Sequence, residues 1–154
     1  MVDQRIVSLL PGATEIVSSL GFKEGLVGRS PECDFPPGIA HLPVCTEPKF
    51  NPQGSSRDID LRVKALLEEA LSVYRLHADL LRRLKPGRIV TQSQCEVCAV
   101  SETDLIDVVG SWVDSRPQLV SLNPETLEGI YSYIMWVGVT LDARGAGRAT
   151  QSRA

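Results

Sequence analysis

The sequence predicts an α/β fold, a mostly parallel sheet flanked by helices, and three observations carry that reading. Short apolar, partly β-branched runs alternate with stretches whose apolar residues recur at helical spacing. Most of these runs are followed by turn residues and then a helix, the order that yields parallel strands with right-handed crossovers. The chain has 154 residues, enough to bury one core without covalent staples.

The first strand is the run Arg5-Ile6-Val7-Ser8-Leu9-Leu10. It meets a sharp turn at Pro11-Gly12, and Ala13 to Leu20 then reads as a helix ended by Gly21. Leu26-Val27-Gly28-Arg29 is a second short strand, and Ser30 to Gly38 is too rich in Pro and Gly to be anything but loop. Leu42-Pro43-Val44-Cys45 reads as a brief edge strand, because its proline cannot donate to a ladder.

Pro48 to Ser56 is loop, and from Arg57 the positions Ile59, Val63, Leu66, Leu67 and Ala70 form a helical stripe. Leu71 to Leu76 alternates as a half-buried strand does. A short helix over Asp79–Leu84 is stopped by Lys85-Pro86-Gly87, with His77 at its start, and Arg88–Thr91 is the next strand. Ser101-Glu102-Thr103-Asp104 opens a helix as a capping box with Asp as third partner, fading near Trp112-Val113. Gln118–Leu122 is the last strand. Asn123-Pro124-Glu125 is a helix start whose stripe is Leu127, Ile130, Ile134, Val137 and Leu141. From Ala143 the chain has neither acids nor large apolar groups, so residues 143–154 are expected to be a disordered tail.

Hydrophobic residues make up 43% and charged residues 23%, with a formal net charge of −3. Such mild acidity supplies no attraction to nucleic acid or to an anionic membrane surface, and neither is expected as a partner. No run is long and apolar enough for membrane insertion. Met1 to Arg5 lacks the basic, apolar and cleavage regions of a secretory signal. On that basis the expected location is cytoplasmic, with Cys33, Cys45, Cys95 and Cys98 reduced.

The sharpest local signal is Cys95-Glu96-Val97-Cys98. Two thiols three positions apart can ligate one metal ion or form a redox pair, and they equally suit a loop packed by small buried cysteines. Cys33 follows another strand and is expected on the same sheet edge, with Cys45 and His41 as candidates for a fourth ligand position. Backbone N–H groups at the Pro11-Gly12 turn suit an anion or an amide, and a plain strand–helix connection needs no ligand. No nucleotide-type phosphate loop, serine elbow or paired-histidine zinc motif is present, and only two histidines exist, so no enzyme is expected.

The opening R-I-V-S-L-L-P-G-A-T-E-I-V-S-S-L-G-F, then L-V-G-R-S-P-E-C-D-F-P-P, resembles the start of the vitamin-B12 and iron-chelate substrate-binding proteins of ABC importers. The run Thr91-Gln92-Ser93-Gln94-Cys95-Glu96-Val97-Cys98-Ala99-Val100-Ser101 resembles the cobalamin-binding branch of that superfamily. The resemblance covers Arg5 to Leu141. It implies one periplasmic-binding-protein-like, chelatase-like N-terminal lobe over residues 1–142, ending in the start of the family's linking helix. It further implies a cleft wall for a small-molecule metal chelate such as cobalamin. That wall would draw on Pro11, Gly12, Ala13 and Thr14, on Arg29, Ser30, Glu32 and Asp34, and on Gln92 and Gln94. Thiolates would come from Cys33, Cys95 and Cys98. Glu15 falls where relatives carry an acid near the ligand face or docking edge.

The family's second lobe is missing, so a second lobe or a partner chain is expected to supply the other wall. A reading from another class also stands: a small cytosolic metal-binding or thiol-redox protein built on Cys33, Cys95 and Cys98, holding zinc or iron.

Overall fold

The computed structural model describes residues 4–68, 73–93, 100–112 and 116–142. The tail expected over 143–154 lies outside them. Strands β1 (Ile6–Ser8), β2 (Leu26–Arg29), β5 (Arg88–Gln92) and β6 (Gln118–Leu122) form one sheet in the order β2-β1-β5-β6, every neighbouring pair parallel. Strands β3 (Thr46–Pro48) and β4 (Tyr74–Leu76) pair antiparallel in a separate ribbon. The helices are α1 (Pro11–Ser19), α2 (Ser56–Glu68), α3 (Ala78–Leu84), α4 (Glu102–Gly110) and α5 (Leu127–Asp142).

The sheet is covered on both faces, which is why its strands read as continuous apolar runs rather than alternating ones. Ile6, Leu26, Val90, Val120 and Leu122 pack on one side with Ala13 and Val17 of α1 and Val137 and Leu141 of α5. Val7 and Ile89, with Val27 and Leu119, face the other side, against Leu81 of α3 and Leu105 and Val109 of α4. Period-2 alternation thus divides one sheet between two helix layers.

Local chemistry sets the element ends. Pro11 and Gly12 are the first turn of α1 rather than a turn before it, with proline at the start of the helix, where its missing N–H costs nothing. At the other end Gly21 takes φ +88°, its N–H donating to the Ser18 carbonyl and that of Phe22 to the Val17 carbonyl. That is the paired closure of a glycine-terminated helix. Ser101 caps α4 as expected, accepting from the Asp104 N–H at 3.1 Å. At α2, Ser55 and Asp58 form the reciprocal box that the sequence reading missed: Ser55 Oγ accepts from the Asp58 N–H, and Asp58 Oδ2 accepts from the Ser55 N–H and hydroxyl.

Four expectations are corrected. The strand placed at Leu42–Cys45 lies at Thr46–Pro48; of the earlier segment, Val44 alone forms an isolated bridge, to Arg29. Helix α5 starts at Leu127 rather than at the Asn123-Pro124 cap, because Thr126 Oγ1 accepts from the Gly129 N–H at 3.0 Å and sets the first turn there. The stripe of α5 is split: Val137 and Leu141 are buried, whereas Leu127 and Ile130 are exposed together with Tyr131, Met135, Trp136 and Val139. The α2 stripe is only half-buried at Ile59, Val63 and Leu66, and Leu67 is exposed; Ala70 lies outside the described residues.

Gly28 is required by close approach. A Cβ there would lie 2.6 Å from Cys45 Sγ and 2.9 Å from Leu84 Cδ1. Gly28→Ala should therefore destabilise the chain by about 1–3 kcal/mol through overpacking. A urea midpoint unchanged from the parent would refute this.

Cys45 is a free thiol packed among Val7, Leu81 and Ile89. Burial pushes its pKa from 9.0 up to about 11, against smaller opposing effects of the Arg29 backbone and charge. The folded state therefore holds this proton above the pH at which the unfolded chain releases it. The resulting stability is complete below pH 9 and is lost as pH rises toward 11. The fall in unfolding free energy between pH 9 and 11 should be shallower in Cys45→Ala than in the parent, by up to roughly 2–3 kcal/mol across the window. Parallel pH profiles for the two chains would contradict that assignment.

Candidate ligand-binding rim

Four parallel strands send their following segments off one edge of the sheet, the edge at which open α/β sheets take ligands. Backbone bonds beyond the strand ends extend this rim. The Leu9 N–H donates to the Val90 carbonyl at 2.9 Å, that of Ser30 to Ser8 at 3.1 Å, and that of Ser93 to Leu122 at 3.2 Å. The segments after β1 and β2 therefore leave from the same edge as Ser93, the last described residue after β5.

Pro11, Gly12, Ala13 and Thr14 are the first turn of α1. Its N-cap, Leu10, is extended and offers no side-chain acceptor, and the first turn holds no acid. Pro11 has no N–H, so the Gly12 and Ala13 amides are the donors this terminus leaves for a ligand. Gly12 is exposed, and a Cβ there would meet nothing within 4 Å. Ala13 is buried.

Thr14, Ser30 and Cys33 turn inward and form a buried polar knot with Ser8. Thr14 Oγ1 lies 2.8 Å from Ser8 Oγ, 3.0 Å from the Leu10 carbonyl and 3.0 Å from Cys33 Sγ; Ser30 Oγ lies 3.2 Å from the same sulfur. A hydroxyl and a thiol each donate as well as accept, so the group satisfies itself without water. It fastens the segment after β2 onto the first turn of α1.

Arg29 also points into its own loop. Its Nη1 donates to the carbonyls of Ser30, Pro31 and Cys33 at 3.1–3.3 Å, and its Nη2 to that of Ala40 at 3.0 Å. Glu32 and Asp34 are exposed on the same loop, and Glu32 Oε1 accepts the Tyr74 hydroxyl at 2.8 Å. Gln92 ends β5 half-buried, and pleat alternation with Val90 places it on the α1 side of the sheet. Gln94, Cys95 and Cys98 lie outside the described residues, so the expected convergence of Cys33 with that thiol pair does too.

Of the proposed fourth ligands, Cys45 packs on the opposite sheet face and His41 is exposed. Among the described residues no group of three His, Cys, Asp or Glu side chains is arranged to hold a metal ion. His77 precedes α3, as its position before Asp79 indicated, with its Nε2 3.9 Å from Glu47 Oε2. A shallow depression of about 650 Å³ lies beside it, lined by Val44, Leu76, Ala78, Asp79, Leu80 and Arg83 together with His77, none of them a rim residue.

Two rim groups escaped the sequence reading. Phe35 is 56% exposed on the loop after β2, an aromatic among prolines whose isolation is its one mark in the sequence. Ser121, on β6, donates its hydroxyl to Glu102 Oε2 of α4 at 3.1 Å, a pairing with no mark in the local sequence.

No family model matches the chain, and no curated protein matches it. Solved structures share its fold. The periplasmic heme-binding protein HutB of Vibrio cholerae superposes with a TM-score of 0.58 at 21% identity, over 90% of this chain and 41% of that one. The periplasmic heme-binding protein RhuT from Roseiflexus sp. RS-1 gives 0.57 at 24%, over 90% and 41%. The periplasmic vitamin B12-binding protein BtuF of Vibrio cholerae gives 0.55 at 20%, over 90% and 45%. These are binding proteins, not enzymes. The chain spans about two fifths of the length of the first of them. The cytoplasmic location expected from the opening residues is overturned by this finding: the proteins that share the fold are periplasmic. With it goes the inference of reduced thiols from a cytosolic setting; Cys33 and Cys45 are free and buried by packing instead. The fold, a mostly parallel sheet between helix layers, is the one these proteins show over the part that this chain matches.

Proposed function

We propose that the chain forms one wall of a binding cleft for a metal chelate of the heme or corrinoid kind, in the periplasm and in the service of an ABC importer. The observation that carries this reading is the rim itself. The open, uncapped start of α1 stands beside a loop locked to it by a buried knot, on the edge of a sheet shared with heme- and B12-binding proteins.

On this reading Pro11, Gly12 and the Ala13 amide meet the ligand, flanked by Glu32, Asp34 and Gln92, with Gln94 continuing the wall. Phe35 adds an aromatic face suited to a flat macrocycle. Thr14, Ser30 and Cys33 stand behind the contact surface and hold it. Thiolate ligation by Cys95 and Cys98 belongs to the same proposal, and cobalamin is the chelate the Thr91–Ser101 run favours.

One wall leaves much of a macrocycle in water, so tight binding needs a second wall. The neighbours are more than twice as long as the part of them that this chain covers. Helix α5 also leaves Leu127, Tyr131, Met135 and Val139 exposed along one side, an apolar strip consistent with cover from further protein. A second lobe or partner chain is the proposed source of both.

Gly12→Glu tests the contact surface. A carboxylate at the open helix start suits the helix dipole, so stability should hold or rise by a few tenths of a kcal/mol. Affinity for hemin or cyanocobalamin, measured by equilibrium dialysis, should fall about tenfold or more as the new side chain occupies the amide donors. The proposal is sunk if the parent chain binds neither compound up to about 1 mM, the weak end of measurable affinity.

A further inference from the structure

The side-chain bonds of Arg29 point to a role that ligand contact does not describe. Four carbonyls of the segment it precedes, those of Ser30, Pro31, Cys33 and Ala40, all accept from one guanidinium. They span eleven residues that contain no helix and no strand. Such a segment holds its shape only if its backbone polar groups find partners. Backbone bonds supply few of them: Cys33 N–H to the Ser30 carbonyl and Asp34 to Glu32 within the segment, and Leu42, just beyond it, to Ile39.

Arg29 is itself fixed by the sheet. It ends β2, its N–H donates to the Pro43 carbonyl, and its carbonyl accepts from Cys45 at 2.7 Å. A planar, permanently charged fork on a fixed backbone can bind several carbonyls at once, which a flexible ammonium does poorly. No carboxylate among the described residues pairs with it; its Nη1 and Nη2 donors serve the loop, while its Nε is buried without a partner. Lys23 secures the outer part of the loop, donating to the Pro37 carbonyl at 2.7 Å.

We infer that Arg29 is a positioning residue of the rim: its guanidinium pre-forms the Ser30–Ala40 loop so that Glu32, Asp34 and Phe35 are held in place before any ligand arrives. The consequence for binding rests on the proposed cleft wall; the ordering of the loop does not. Affinity gained in this way comes from ordering entropy already spent on folding.

Hydrogen–deuterium exchange separates the two. In Arg29→Gln the Cys33, Asp34 and Leu42 amides should exchange about tenfold faster or more, while amides of β1 and β5 keep parental rates. Arg29→Lys, which keeps the charge but not the fork, should fall between. Unchanged loop exchange in Arg29→Gln overturns the inference, as does acceleration spread equally over β1 and β5, the mark of a merely structural loss. Dialysis against hemin then reads the consequence: weakening of about tenfold in Arg29→Gln, partly restored in Arg29→Lys. If the exchange result holds while the parent chain binds no hemin, the proposed ligand fails and the positioning role stands.

Discussion

Everything at the rim depends on one constraint, the uniform direction of four strands buried on both faces. Because β2, β1, β5 and β6 all run the same way, their exits cannot scatter to opposite ends of the domain. Burial on both faces fixes the register as well, since a shift by one residue would exchange the set facing α1 and α5 for the set facing α3 and α4. The rim is thus a by-product of hydrophobic sorting, and its polar chemistry is laid on a frame that apolar residues secure.

What happens on that frame is a division of labour by depth. The buried hydroxyls of Ser8, Thr14 and Ser30 and the Cys33 thiol satisfy one another. A self-contained polar cluster of this kind costs little when complete and much when one member is lost. Above it, exposed groups have few fixed partners: Gly12 faces open space, and Asp34 lies at the surface. Rigid support beneath an unencumbered surface is the arrangement that allows a flat ligand to be recognised by shape and a few donors.

Much of the fold was legible because its determinants are local. The run Arg5–Leu10, the glycine after α1, the Ser101 cap and the Lys85-Pro86-Gly87 stop each act over a few residues. The failures came where a distant partner or a competing local group decides. Thr46–Pro48 is a strand only because Tyr74–Leu76 lies across from it, and Thr126 outcompetes Asn123 as the start of α5. Placing the segments after β1 and β2 at the same edge as the end of β5 needed only the parallel order of strands, which the alternation of elements implied. The inward turn of Arg29 was invisible, because an arginine at a strand end beside an acidic loop reads as a surface group. Nothing in the linear order says that carbonyls one, two, four and eleven residues on will gather around it.

Helix α5 has two sides with different obligations. Its inner side carries Val137 and Leu141 into the core beside α1, and Leu20, which caps the end of α1, lies within 4 Å of where a side chain at Gly138 would begin. Its outer side is largely oily. A body that settled on the outer side would therefore bear on the same rod that braces α1, whose opposite end opens onto the rim. Load applied there would reach α1 through the side-chain packing that α1 and α5 share on one face of the sheet.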